Sequence, residues 1–416
     1  MKFIVLLIGF FSFSVSMAQS IEKEFPESFQ ISVTNPLKVG RESVLVVLMP
    51  SQIAGAASAF NSHAFVVLDG KTEIPSQYNE AGEDHVGIVF VLDKMGASEV
   101  KRLTVRYNRE GTIARNYTKR TQAELSHKTG GEWENREYIG GAFHNTDYLR
   151  VPPEHKDHSW FIRYEGPGWE SDKVGYRFYL DQRNAADVFG KKTTSMVLQE
   201  VGQDGFDSYH NPQPWGMDVM KVGKSLGLGS IGALVDGKVT RVEKTDSVDC
   251  RVVENGAVFS ALLTRYFGWQ AGSDKHDVHS RLSIHAGTRL TRELLTFTHA
   301  PEMMVTGIVK DTKAKVVTSV GDAHHWAYLA TYGQQSLNSD NLGLVIFFKP
   351  ADVVGFATDE YSEYAKLRVT GGDAEYYYAA AWVGEPGGIQ NEAQFLAYVG
   401  RISAELSTPV QVNMAR

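Results

Sequence analysis

Cysteine is almost absent from the chain. Cys250 is the only one in 416 residues, which excludes an intrachain disulfide and any zinc site built on cysteine pairs. A nucleophilic cysteine would need a depressed pKa and a partner base; the setting SVDCRVVENG reads as a strand, so Cys250 is expected to be structural. There is no H-E-x-x-H. His276 and His279 have H-x-x-H spacing in what reads as a loop and strand start, and the adjacent His324 and His325 would point to opposite faces of a strand. No cofactor or metal is expected from these residues, with a divalent metal left open as an alternative charge neutraliser.

Long basic runs are missing too, and the formal net charge is -7. Nucleic acid is therefore not an expected partner. Beyond the N-terminus no apolar run is long enough to span a bilayer. The N-terminus itself has Lys2, an apolar stretch over 3–15 and Ser16-Met17-Ala18 before Gln19, the layout of a cleavable secretory signal over 1–18. No cysteine follows that site to carry a lipid anchor, so the mature protein is expected to be soluble and exported, periplasmic or secreted.

Helical periodicity is scarce as well. Only 391–404 has a clear helical pattern, and 51–60 reads as a short helix or a loop. What the sequence has instead is short β-branched runs punctuated by Gly, Pro and Asn. Apolar residues make up 43% and charged residues 22%, a globular balance, and the length suffices for two domains or one large β domain. The stretch 29–50 reads as a hairpin, and strands at 64–68, 86–92 and 100–107 complete a small sandwich-like N-terminal region over 19–115. The polar segment 115–141, with Gly-Gly pairs at 130 and 140 and no periodicity, is the expected domain connection. Strands then recur at 159–164, 175–183, 252–266, 277–285, 289–298, 304–309, 326–332, 343–348 and 374–383. The expected class is all-β (mainly β), with a large, curved antiparallel sandwich over 116–416.

Chemistry concentrates in 160–232. EGPGWESDKVGYRFYLDQRNAADVFGKK and DSYHNPQPWGMDVMKVGKSLGLGSIG hold an unusual density of Trp, Tyr, His, Arg and paired acids. As a strand, 175–183 puts Arg177, Tyr179, Asp181 and Arg183 on one face. Unpaired charges are too costly to bury, so that row is expected to line a wet cleft or a solvent face. Glu165, Trp169 and Glu170 lie in the neighbouring Gly/Pro turn and are placed at its rim. A strand over 215–222 separates Asp218 from Lys221, and Lys221 beside the Trp215 platform suits an anionic sugar ring. Tyr209 and His210, next to Asn211-Pro212, precede that strand. His144 and His325 complete the candidates for substrate binding.

Two look-alikes fail. Gly227 to Gly232 spells G-x-G-x-x-G, but no helix pattern follows. Gly223-Lys224-Ser225 imitates the end of a phosphate-binding loop, yet Asp218 stands where the first glycine is required.

On the two long motifs quoted above, and over 31–416, the chain resembles a domain-of-unknown-function family of exported bacterial proteins associated with unsaturated glucuronyl hydrolases in polysaccharide-utilisation clusters. The resemblance implies a β-supersandwich of the galactose mutarotase-like fold, shared with several polysaccharide lyases. It also implies carbohydrate processing, specifically an oligosaccharide dehydratase of ulvan breakdown. Such an enzyme removes water across C4 and C5 of a non-reducing-end uronic acid, glucuronate or iduronate, and leaves the 4,5-unsaturated sugar.

That reaction needs a cation at the carboxylate, a base for the C5 proton and an acid for the C4 hydroxyl. Arg177, Arg183 and Lys221 are the candidate cations; His210 or Tyr209 is the candidate base, with the other as acid or orienting group. A polysaccharide lyase would use the same parts with a sugar as leaving group. A non-catalytic glycan-binding protein would use the same cleft. The expected partner in each case is an anionic, uronate-containing oligosaccharide.

Overall fold

The computed structural model describes residues 21–80 and 85–414; the expected signal segment lies outside them. The chain divides into two units, one made of the residues up to Thr118 plus those from Pro409, the other running from Lys119 to Thr408. Among the described residues no helix is long and apolar enough to cross a membrane.

The first unit is a sandwich of a five-stranded and a three-stranded sheet. Alternation builds it. Phe29, Ile31 and Val33 of Glu27–Thr34 pack against Val44, Val46 and Leu48 of Arg41–Leu48 and Ile88, Phe90 and Leu92 of Gly87–Met95, each side chain adding roughly 1.5–3 kcal/mol by burial. The hairpin expected over 29–50 does not form. Glu27–Thr34 pairs with Val100–Tyr107 and Gln411–Met414, whereas Arg41–Leu48 pairs with Gly87–Met95 in the other sheet. Asn35 makes the crossing: its Nδ2 donates to Val39 O at 2.8 Å and Gly96 O at 2.7 Å, and its Oδ1 accepts from Leu37 N and Arg41 Nε. The C-terminal strand Gln411–Met414 belongs to this unit, a return that nothing in its short sequence announces.

The second unit is the large antiparallel β-supersandwich. A nine-stranded sheet faces two five-stranded sheets, and one continuous apolar core fills the space between them. Strand parity sorts the central strands cleanly. In Asp373–Trp382, Tyr376, Tyr378, Ala380 and Trp382 point to that core. Ala379 and Ala381 point to the outer face, where Phe395, Tyr398, Val399 and Ile402 of the helix Glu392–Ser407 cover them. Asn391 caps the helix, its side chain accepting from Gln394 N at 3.0 Å. Gly343 lets helix and sheet approach, since a Cβ there would meet the Phe395 ring at 2.4 Å. Cys250 is buried and burial pushes its thiol up to about 12, the structural cysteine expected.

Two further expectations are corrected. The segment 115–141 is no bare connection: it supplies the strand Thr121–Glu124 and the hairpin Ser126–Glu134 with Glu137–Asn145. Little of that hairpin is buried, so its sequence carries no apolar alternation to read. The expected strand over 159–164 is a loop ending in the single turn Arg163–Glu165, because Trp160, Tyr164 and Glu165 adopt left-handed φ of 60, 39 and 72°.

Candidate functional site

Arg177 organises the site. It lies on the strand Val174–Phe178, directly opposite Asp187 of Ala186–Lys191. Tyr176, Phe178, Ala186 and Val188 turn toward the main core, so Arg177, Asp187 and Phe189 occupy the other face. The short strand Gly216–Asp218 pairs next to Phe189 and adds Asp218 to that face. The loop over 192–215 closes above it, packing Val197, Leu198, Val201, Phe206 and Tyr209 against Tyr164 and Phe189 in a second small core. Glu170 anchors the loop: its Oε1 accepts from Val197 N at 2.7 Å and Leu198 N at 2.9 Å, and it is ion-paired to the buried Lys191.

The Arg177 guanidinium is 1% exposed and fully engaged. Its Nη2 donates to Asp187 Oδ2 at 2.7 Å and Asp218 Oδ2 at 2.6 Å, and its Nη1 to the Tyr209 hydroxyl at 2.7 Å. Tyr179 donates to the same Asp187 oxygen at 2.6 Å. Glu165 bridges onward, with Oε2 3.8 Å from Arg177 Nη1 and Oε1 2.7 Å from Arg183 Nη2. Arg183 also pairs with Asp181 and, at 2.9 Å, with Asp157, and its guanidinium stacks 3.8 Å from the Tyr179 ring centroid. The row predicted from strand parity is thus assembled, but by a strand that ends at Phe178 and a turn that folds back. It is also buried. The expectation of a wet row assumed unpaired charges, and every charge here has a partner from a distant strand or loop.

The network reaches solvent at Asp157 and at His210. The His210 side chain is 43% exposed, and its Nε2 lies 3.4 Å from Asp218 Oδ2. The Asp218 carboxylate raises the imidazole above its ordinary pKa, against partial burial, and the Phe206 backbone adds to the rise. Tyr209 behaves differently. Burial lifts its phenol well above the ordinary value despite the neighbouring Arg177, and so keeps Tyr209 protonated.

The cluster carries excess negative charge. Two guanidinium groups, Arg177 and Arg183, face five carboxyls: Asp157, Glu165, Asp181, Asp187 and Asp218. The excess shows in Asp187, which burial and then Asp218 push up to about 6. Burial would raise Glu165 as well, but Arg177 and Arg183 outweigh it and hold that carboxyl below its usual range. Asp157, His158 and Glu165 bring ligand atoms within 4.8 Å of one another and could hold a metal; Arg183 already sits against both carboxylates, so a cation would have to displace it.

Arg177, Tyr179, Asp181, Arg183, Glu165, Tyr209 and His210 are therefore brought together, with Trp215 edge-on to Phe189 at 5.8 Å beside them. Other candidates lie elsewhere. Trp169 points into the main core, stacked on Tyr176 and donating to Thr291 Oγ1 at 2.8 Å. Glu170 is buried under the loop instead of at a rim. Lys221 is exposed beyond the end of Gly216–Asp218, and among the described residues it makes no ring contact with Trp215. The preference for Lys221 over Asp218 is thus reversed: Asp218 faces the site. His144 is exposed on the hairpin, opposite His127. His325 is exposed and paired with Asp322 at 3.0 Å. The sequence reading passed over Asp187 and Asp157. The signal for Asp187 was present, since a hairpin of 174–178 with 186–191 sets it across from Arg177.

A family model described as a domain of unknown function (DUF4861) matches residues 33–412. The chain belongs to the DUF4861 family. No curated protein sequence matches it. Among solved structures it is similar to an α-mannosidase from Enterococcus faecalis V583, at 9% identity and a TM-score of 0.50, over 96% of this chain and 47% of that one. A glycosyl hydrolase family 38 protein from Enterococcus faecalis gives 9% identity and a TM-score of 0.49 over 94% and 47%. A Klebsiella pneumoniae protein assigned as an aldose 1-epimerase gives 10% identity and a TM-score of 0.33 over 57% and 82%. The chain spans about half the length of the two Enterococcus proteins it matches. At this identity the likeness is one of fold, the antiparallel β-supersandwich.

Proposed function

We propose that this protein is an exported carbohydrate-active dehydratase that eliminates water across C4 and C5 of a non-reducing-end uronic acid in ulvan-type oligosaccharides. The unsaturated product is the kind of sugar that unsaturated glucuronyl hydrolases accept. The observation that carries the reading is the half-exposed His210 held by the buried carboxylate of Asp218.

In the proposed reaction, neutral His210 takes the C5 proton. The electron pair of that C–H bond forms the C4=C5 double bond, the C4–O bond breaks, and the proton passes to the departing hydroxyl, which leaves as water. For a glucuronate the proton and the leaving oxygen are on one side of the ring, so a single imidazole serves both steps. Asp218 stabilises the imidazolium formed midway, and Arg177 fixes Asp218. Arg183 meets the substrate carboxylate by exchanging Asp157 for it, since Asp157 is the most exposed of its three acidic partners.

The test is incubation with oligosaccharides that end in a saturated uronate, followed by absorbance of the enol-ether product and by mass. New absorbance with loss of one water supports the proposal. Cleavage into two saccharides would assign a polysaccharide lyase, and binding without change a glycan-binding protein.

A further inference from the structure

The lysine of Gly223-Lys224-Ser225, the failed phosphate-loop match, lines a cavity of about 340 Å³ on the outer face of the other five-stranded sheet. That volume is at the lower end of the roughly 300–1,000 Å³ typical of small-ligand sites. Leu226 and Val239 form an apolar floor, continuous with the small cluster around Val305 and Tyr364. Above it stand Lys224, Arg241, Glu243 and Tyr361. Tyr361 is 37% exposed, with Lys224 Nζ 5.6 Å from its ring centroid.

The polar groups are built in. Arg241 is fixed, its Nη2 donating to Glu243 Oε1 at 2.8 Å and its Nη1 to Ser225 O at 3.1 Å. Asp359 turns its charge into the backbone, its Oδ1 accepting from Tyr361 N at 2.8 Å and Ser362 N at 2.7 Å, which holds the turn that presents Tyr361. Lys224 has no carboxylate partner among the described residues. A part-exposed aromatic ring with an ammonium beside it that no carboxylate neutralises, a fixed guanidinium and an acceptor in Glu243, all over an apolar floor, match one ligand chemistry. It is a sugar ring that carries a carboxylate or a sulfate ester.

We infer that this cavity is a second glycan subsite, separate from the Arg177-His210 cluster, which binds an anionic sugar unit. The choice of a uronate or sulfated sugar rests on the proposed function; the cavity and its cations do not. Lys224 carries the anion and Tyr361 the ring.

Calorimetry on the His210→Ala protein tests this without turnover. The probes are a sulfated uronate-containing oligosaccharide, a neutral oligosaccharide of equal length and sodium sulfate. Adding Lys224→Ala or Tyr361→Ala is expected to weaken oligosaccharide binding about tenfold, the loss of one charge-assisted contact, with the neutral sugar weaker than the acidic one throughout. Affinity unchanged by both substitutions would overturn the inference, as would equal affinity for the neutral sugar. So would Lys224-dependent binding of sulfate alone, which would make it an adventitious anion site. If the wild type turns over no uronate yet Lys224-dependent binding persists, the subsite stands and the proposed reaction falls.

Discussion

His210 Nε2 lies 3.4 Å from the Asp218 oxygen that also accepts from Arg177 Nη2 at 2.6 Å. One carboxylate thus links a buried cation to the half-exposed imidazole of His210. Its consequences are testable piece by piece.

Removing the charge of Asp218 should uncouple the imidazole. In Asp218→Asn the His210 pKa is expected to fall toward its usual value of about 6.5, read by NMR titration of the ring. The neutral ring is the base, so wild-type turnover should rise with pH through the raised pKa. In the variant that limb moves to lower pH and the plateau rate drops. A His210 pKa unmoved by the substitution would break the link.

His210→Ala should cost about a hundredfold to ten-thousandfold in turnover, the usual worth of a general acid–base group. Because His210 is 43% exposed, its thermal midpoint should match that of the wild type. Full activity would remove His210 from the chemistry.

Arg177→Leu should act on the fold instead. It leaves Asp187 and Asp218 buried without their cation, at a cost of about 3–5 kcal/mol. Denaturant titration reads the loss. A variant as stable as the wild type would mean that the network does not hold the strand and loop together.

Glu293 offers a test away from the site. It is buried, with the Ser280 hydroxyl at 2.5 Å as its only side-chain partner among the described residues, and burial pushes its carboxyl up to about 8 from 4.5. The folded chain therefore prefers the protonated form. Its contribution is fully present below about pH 4.5 and is lost as pH rises through about 8. Glu293→Gln keeps a partner for Ser280 and should gain on the wild type across that window by about 1.4 kcal/mol per pH unit at most. Urea midpoints at the two ends of the window check it, and parallel curves would show that Glu293 titrates normally.

Where strands are buried on both faces, as in Leu342–Phe348 and Asp373–Trp382, composition and parity were enough to place them within a residue or so. The site was legible in its members but not in its state. Arg177, Tyr179, Asp181 and Arg183 do come together, but through a turn after a strand that ends at Phe178 and not as one strand face, and their partners Asp187, Asp218 and Asp157 arrive from another strand, a strand after a long loop, and a loop. Local sequence cannot show that such charges are paired, and pairing is what allows burial. The assignment over 215–222 failed for a local reason: Gly216, at φ 140°, breaks the alternation, so Trp215 packs with the loop while Met217 and Val219 enter the main core.

The most direct test is the mass of a saturated, uronate-terminated oligosaccharide after incubation with wild-type protein and with His210→Ala. The account predicts loss of one water from the intact oligomer with the wild type and an unchanged mass with the variant. Two shorter saccharides, or the same water loss with both proteins, would contradict it.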